Sequence, residues 1–569
     1  MAFEPANRIA SSDAEIAIIM TSSWKTWVVG WLGLVLASLI LAPIPAVNET
    51  HYLGKARHFA NPAWCENDFF LNSPSVHVVF FASTGWLPPF FGMTATALLV
   101  RAAGLLVLAY GTYRLSQVLG LSGGSYLAGL WLWPVLVATI NVSGEWIVGG
   151  AESKVFAYGF LFWAMAFLSD NEPFLTKVWA SSSLLAWSVA WHPIVGLWGA
   201  LIILGSLILL SMLNKDRLFR SAALGTSAGT RSSGLLANLL LLAGWLAALW
   251  SIAAALQVSL MSGADETVRF QANYLQVYYR LAHHLDPMAI PTTAWLRGIS
   301  AAGLTFAAWV VLTHSVFLKS ASFTRRRAWQ LLGWSALLAI LLSIAGFLIG
   351  FGPRPAEKMA GYAWRMLLLK FYFFRMADVL VPLLLSFSLG QLSMMAVCRK
   401  KRRENVTPWP LNRFALVVPA MMLAVLMSFA VSRHGSWEAI SVAIKQHHDW
   451  KATCDWIFQN TPRKTLCFAP TGHTSLKWYA ERPEYVSFKD CPQDAAGIVE
   501  WNNRLLIITN WLQTQWGNGS DAKPALITKA GLKDLHEQTG LQLLITDRLG
   551  PFESEPVYQN DSYRIYELP

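Results

Sequence analysis

Charge is scarce in this sequence. Only 14% of the 569 residues are Asp, Glu, Lys or Arg, while 54% are hydrophobic; a water-soluble domain carries roughly 25% charged residues. The deficit excludes an ordinary soluble domain and points to a polytopic membrane protein. Chemical motifs are scarce as well. The five cysteines (Cys65, Cys398, Cys454, Cys467 and Cys491) form no CxxC or other metal-ligand spacing. There is no Gly-rich phosphate loop, GxSxG elbow or HExxH, which removes the nucleotide, serine-hydrolase and zincin classes that those motifs mark. Internal repeats and low-complexity tracts are also missing.

The net charge of +11 is unevenly placed. From Arg433 onward there are 14 Lys and Arg against 16 Asp and Glu, a net of −2, which leaves +13 for the rest of the chain. That charge sits in short loops between apolar runs, so it reads as a topology signal. A basic folded surface for nucleic acid is not what it describes.

What the chain does have is long apolar runs and 28 tryptophans, a residue that collects at membrane interfaces. A span needs about 20 mainly apolar residues. Runs of that kind fall near 26–46, 94–113, 122–142, 154–169, 174–191, 194–213, 235–257, 297–318, 328–351, 376–397 and 412–432, predicting about eleven transmembrane helices. Residues 1–25 contain Glu4, Asp13 and Glu15, so no secretory signal is read there, and the first run is expected to stay as an anchor. Residues 74–93 are apolar but interrupted by Gly85, Pro88 and Pro89. If they do not span, the clusters at Lys215–Arg231, Lys319–Arg327 and Arg399–Arg403 all fall on the cytoplasmic side. The expectation is therefore a cytoplasmic N-terminus (1–25), a transmembrane domain (26–432) whose first outer loop is 47–93, and an extracytoplasmic domain (433–569). In that last part helices alternate with short strands near 466–468, 485–488, 541–546 and 563–567, which predicts a small α/β domain. A disulfide within it is open.

The outer loops hold the polar residues of interest. Glu49 follows the first span closely, and Asp68 lies further along the same loop; a carboxylate there can act as a general base or hold a metal on a phosphate. His51, Lys55 and His58 recur at i, i+4 and i+7, one helix face. Glu152 and Lys154 stand at the mouth of a later span. His192-Pro193 marks a tight outer reversal, most simply a turn. His283 and His284 precede Asp286-Pro287 in the longest outer loop, where substrate contact is preferred to zinc because adjacent side chains diverge. Arg375 and Asp378 are three apart at the entry of a span and are expected on one face. Ionisable groups there default to functional hypotheses. With Arg354 and Arg365 just upstream, Arg375 suits an anionic lipid phosphate.

Asn48-Glu49-Thr50-His51 through Asp68-Phe69-Phe70, the non-spanning helix after it, the many spans and the exported α/β domain together resemble the C-type (GT-C) membrane glycosyltransferases. Those residues, with Glu152-Ser153-Lys154, Phe374-Arg375-Met376-Ala377-Asp378, Lys477-Trp478-Tyr479 and Pro492-Gln493-Asp494, are more closely similar to a bacterial family of multi-pass membrane proteins with no established activity. The resemblance implies transfer of a sugar from a polyprenyl-phosphate carrier to an extracytoplasmic acceptor, in a bacterial inner membrane. It implies a catalytic role for Glu49 and, less directly, Asp68; the reading of the loops themselves adds His51, Lys55, His58, Glu152, Lys154, His283, His284, Arg354, Arg365, Arg375 and Asp378 as candidate substrate contacts. The paired acidic motif of the larger fold reads Asn48-Glu49 here. Metal dependence is therefore left open, with a divalent cation as one option. A transporter, or a non-enzymatic envelope assembly protein, is the alternative.

Overall fold

The computed structural model describes residues 24–213, 235–260, 264–404, 437–516, 526–547 and 549–569. Its helices, in chain order, are α1 (Trp24–Leu41), α2 (Val47–Ala60), α3 (Val78–Thr84), α4 (Pro88–Leu119), α5 (Gly123–Ile140), α6 (Ser153–Ser169), α7 (Phe174–Trp191), α8 (Pro193–Leu213) and α9 (Leu235–Leu260). They continue with α10 (Glu266–Tyr274), α11 (Thr292–Thr313), α12 (Phe323–Gly350), α13 (Tyr362–Leu369), α14 (Ala377–Glu404), α15 (Trp437–Asn460), α16 (Ala495–Trp516) and α17 (Lys529–Thr539). Eight of these are long and apolar enough to cross a membrane: α1, α4, α5, α8, α9, α11, α12 and α14. The shorter α6 and the less apolar α7 occupy two further expected spans. The run at 412–432 lies outside the described residues, so the count of eleven stays an expectation.

Local chemistry explains the turns. Helix α4 ends at Gly120 in the left-handed region (φ 70°), and the Ser122 hydroxyl caps α5 by accepting from Ser125 N–H at 3.1 Å. The chain thus reverses in a few residues and α5 returns beside α1 and α14. Helices α4 and α6 approach backbone to backbone. A Cβ on Gly111 would fall 2.1 Å from the Gly159 carbonyl oxygen, so only glycine fits there. Around these crossings a continuous apolar core runs through Leu108, Tyr126, Trp133, Phe162, Trp329 and Phe387.

Residues 74–93 form no helix of spanning length. Helix α3 has only seven residues, a rise of roughly 10 Å against a hydrocarbon core of roughly 30 Å. It buries Val78, Val79, Phe80 and Phe81, and α4 begins at Pro88 with a break at Gly92 (φ 74°).

The C-terminal unit is α/β. Four strands, β1 (Cys467–Phe468), β2 (Leu543–Thr546), β3 (Tyr558–Gln559) and β4 (Arg564–Glu567), are ordered β1-β2-β4-β3. Strand β1 runs parallel to β2, while β4 is antiparallel to both β2 and β3. Residues 485–488 were expected to be a strand. Only an isolated bridge at Glu484 forms, because the chain turns into the interface with the first outer loop. Cys65, Cys454, Cys467 and Cys491 are free thiols.

That interface is ionic and buried. Lys477 Nζ lies 2.8 Å from Glu484 Oε2, 2.8 Å from Asp490 Oδ2 and 3.4 Å from Asp68 Oδ2. Burial opposes its charge, but the three carboxylates outweigh that and hold the ammonium well above its ordinary range. Arg57 adds a pair with Glu481 at 2.7 Å. Removing one member of a buried ionic set costs about 3–5 kcal/mol, since the others lose their counter-charge. Lys477→Met is therefore expected to loosen the C-terminal unit, read as faster limited proteolysis within residues 437–569 in detergent; an unchanged cleavage rate would count against the network as the clamp.

Candidate functional site

The segments read from sequence as outer loops meet at one end of the helix bundle. Glu49 sits at the first turn of α2, fully buried. Its carboxylate pairs with Arg101 through Nε and, at 2.6 Å, through Nη2. It also accepts from the backbone N–H of Ala46 and Ala151, each at 2.8 Å. Gly150 leaves room for it: a Cβ there would lie 2.6 Å from Glu49 Cγ. Arg101 in turn donates to the carbonyls of Ala42 and Pro43. Both oxygens of Glu49 are therefore spent, and the residue is a strut between α2, α4 and the 150-loop. The carboxylate expected to act as a general base is thus engaged by Arg101 in this structure.

Asp68 is also fully buried. Oδ1 accepts from Leu71 N–H at 2.8 Å and Oδ2 from Glu484 N–H at 2.9 Å. It joins the first loop to the C-terminal unit and faces no opening. Lys55 donates to the carbonyls of Phe70 and Ser73, both at 2.5 Å. His58 bridges the Trp64 carbonyl (2.7 Å) and Asn72 (3.2 Å). These two fold the loop over its own helix and are not placed for substrate. His51, on the same face, differs: its Nδ1 lies 2.9 Å from Asp490 Oδ1.

Arg375 and Asp378, expected on one face, take two separate jobs. Asp378 accepts from the backbone N–H groups of Val142 (2.7 Å) and Ser143 (2.8 Å) and from the Ser143 hydroxyl (2.9 Å). It thereby holds the 142–145 turn and presents Glu145. Arg375 Nε lies 2.9 Å from Glu145 Oε2. Burial works against this guanidinium, but Glu145 outweighs it and holds its pKa above the usual value. Lys154 reaches Glu152 at 3.1 Å and Glu145 at 3.6 Å. Asn48 donates to Glu152 at 3.0 Å and accepts from Lys489 of the C-terminal unit. Arg280 donates to the Lys489 carbonyl at 2.9 Å. The Arg375 guanidinium also lies over the Tyr372 ring, 4.1 Å from its centroid. Glu145 Oε1 is buried and accepts no hydrogen bond among the described residues. Counting Asp490 beside Lys489, the cluster holds four cations against three carboxylates, an excess that suits an anion.

His77, His192 and His284 line this region as neutral imidazoles. His77 lies between Tyr52 (3.4 Å) and Ser153 (3.3 Å), with its ring 4.9 Å from that of His192. Burial, helped by Arg375 in each case, pushes His77 and His284 down to about 3 and His192 well below its usual value. His284 bonds the Ser143 carbonyl, while His283 is exposed. Arg354 is bound to both oxygens of Asp286, and Arg365 donates to the Ile349 and Phe351 carbonyls. Neither joins Arg375, so the expected arginine trio does not form. Among the described residues no three His, Cys, Asp or Glu side chains are grouped to hold a metal. Glu49 and Asp68 are engaged elsewhere, and Lys154 stands between Glu145 and Glu152, so the residues present do not fit a divalent cation.

Residues 448–508 match a domain of unknown function, DUF6798. No curated protein matches in sequence. Among solved structures the chain is similar to ArnT from Cupriavidus metallidurans bound to undecaprenyl phosphate, at 14% identity and a TM-score of 0.44, over 95% of this chain and 96% of that one. It is also similar to the archaeal oligosaccharyltransferase AglB from Archaeoglobus fulgidus, in complex with an inhibitory peptide and a dolichol-phosphate. There the identity is 12% and the TM-score 0.39, over 92% of this chain and 70% of that one. The apo state of the same ArnT gives 13% and 0.38.

Sequence reasoning passed over Glu145, Arg101 and His77, while Lys489 and Asp490 stood out in the C-terminal part only as a structural or acceptor-positioning segment. Arg101 could have been found, since a lone arginine in an apolar span calls for a buried partner. Glu145 shares its loop with Glu152, which drew the attention.

Two outcomes follow. Glu49→Gln leaves Arg101 without a counter-charge and is expected to cost about 3 kcal/mol of stability, read as a lowered thermal midpoint in detergent; an unchanged midpoint would remove the strut. For the imidazoles, the unfolded chain takes up protons near pH 6.5 while folded His77 and His284 wait until about 3. In that window the unfolded state binds more protons, so stability falls as pH falls. The midpoint should drop between pH 7 and pH 5, and less steeply in a His77→Asn/His284→Asn variant; parallel slopes would contradict this.

Proposed function

We propose that the chain is a membrane glycosyltransferase that takes a sugar from a polyprenyl-phosphate carrier and passes it to an extracytoplasmic acceptor. One observation carries the reading: the four cations Lys154, Arg280, Arg375 and Lys489 gather with three carboxylates, Glu145, Glu152 and Asp490, at the mouth of a transmembrane bundle. A surplus of cations at that depth suits the phosphate of a lipid whose tail stays in the bilayer. The same cations neutralise the charge that the phosphate gains as it leaves the sugar, which is where electrostatic stabilisation counts most. Tyr52, Asn48 and Tyr372 add hydroxyl and amide groups that can bond sugar hydroxyls.

Arg375 is the residue on which this reading turns. A hydrogen bond to a charged group is worth about 1.5–3 kcal/mol, so Arg375→Gln should weaken polyprenyl-phosphate binding about 10- to 100-fold. Binding is measured on the full chain in detergent, at matched thermal midpoint. In cells, loss of the gene should cause one lipid-linked sugar to accumulate in membrane extracts, and Arg375→Gln should not reverse it. Equal binding by the variant, or no accumulating carrier, would overturn the assignment.

A further inference from the structure

With Glu49 closed off, the cluster still needs a group to accept the acceptor's proton. Glu145 and Glu152 are both in contact with Lys154, and Glu145 also with Arg375. Their negative charge is spent on those cations. His51 is differently placed. It lies one turn beyond Asn48 on α2, and the two residues meet consecutive partners in the C-terminal unit. Asn48 accepts from Lys489, and His51 faces Asp490. The Asp490 carboxylate is buried and fixed from its far side by Lys477 at 2.8 Å. Nδ1 of His51 therefore carries the hydrogen that Asp490 accepts, and Nε2 keeps its lone pair. The His51 side chain keeps 19% of its surface exposed.

We propose that His51 is the general base of transfer, with Asp490 as the positioning residue that fixes its tautomer and ring. The inference rests on the glycosyl-transfer reading above. In the step, the acceptor O–H gives its proton to His51 Nε2, and the oxygen pair forms the new bond to the anomeric carbon. The bond from that carbon to the phosphate oxygen breaks, and the phosphate leaves with the electron pair toward Lys154, Arg280, Arg375 and Lys489. The imidazolium is held by Asp490 until it releases the proton to water. The titratable and charged groups around the ring are Asp490 and Lys489 from the C-terminal unit, Lys55 and Tyr52 from its own helix, and His77 beside α3. Phe70 covers one side at a ring distance of 4.5 Å. Burial lowers the pKa of His51 against the pull of Asp490, so the ring is neutral at physiological pH.

The test is His51→Asn. Its side-chain amide reproduces the Nδ1–H donor to Asp490 and lacks the second nitrogen, so the interface is kept and the base is lost. Cells lacking the gene are complemented with wild type, His51→Asn or Asp490→Asn at matched membrane abundance, and the lipid-linked sugar is measured. That lipid, isolated from the null cells, then serves as donor for purified full-length protein. His51→Asn should bind polyprenyl phosphate as wild type does and yet transfer about 100-fold more slowly or worse, the scale of a lost general base. The acid limb of the wild-type pH–rate profile, below pH 6.5, should disappear. Asp490→Asn should retain part of the rate and shift that limb. Transfer by His51→Asn at the wild-type rate, or an unchanged acid limb, overturns the base while leaving the glycosyl-transfer reading intact. No accumulating lipid in null cells overturns both.

Discussion

Charge buried at one end of a helix bundle must find a partner, and that end of this molecule is arranged by that requirement. Glu49 and Arg101 are the tightest case: both are almost fully enclosed, and every strong donor and acceptor between them is used. Because the pair draws in Ala42, Pro43, Ala46 and Ala151, it fixes where α1 ends, how α2 enters and where the 150-loop lies. Those are the walls against which the Glu145, Glu152 and Lys154 cluster is built. A carboxylate that sequence alone places as a catalytic base is here the strut that makes the site possible.

The same requirement divides the site into held and presented groups. Asp378 is held by backbone N–H donors of the 142–145 turn, which leaves the side chain of Glu145 facing Arg375 and Lys154. Lys477 is surrounded by carboxylates from the first loop and from its own unit, and that sets the position of Asp490 beside His51. Neither Asp378 nor Lys477 needs to touch a substrate to matter. Each settles the geometry of a neighbour that can.

Much of this was legible in the sequence. Apolar length marked the helices, and the distribution of Lys and Arg gave the reason for keeping 74–93 out of the span count; α3, at seven residues, cannot cross. Of the residues singled out, Lys154, Glu152 and Arg375 do come together, through Glu145. Their roles were harder to read. Helix spacing put His51, Lys55 and His58 on one face, yet that face meets both the folded loop and the C-terminal unit. Two of the three are consumed by carbonyls of residues 64–73. Spacing likewise suggested that Arg375 would pair with Asp378. Periodicity describes one helix at a time, and the 142–145 turn that competes for both residues is more than 200 positions away in sequence.

That distance also explains why the C-terminal unit belongs to the site. Lys489 and Asp490 contribute one cation and one carboxylate to a cluster otherwise made by transmembrane helices and their loops. Both fall within residues 448–508, as do Lys477 and Glu484. A segment that only covered the bundle would need apolar contacts and a polar rim. This one carries a buried lysine–carboxylate set whose desolvation is costly and is recovered only in one register against the first loop. Holding that register is what aligns Asp490 with His51 and Lys489 with Asn48, so the ionic interface is better understood as an alignment device than as a source of stability.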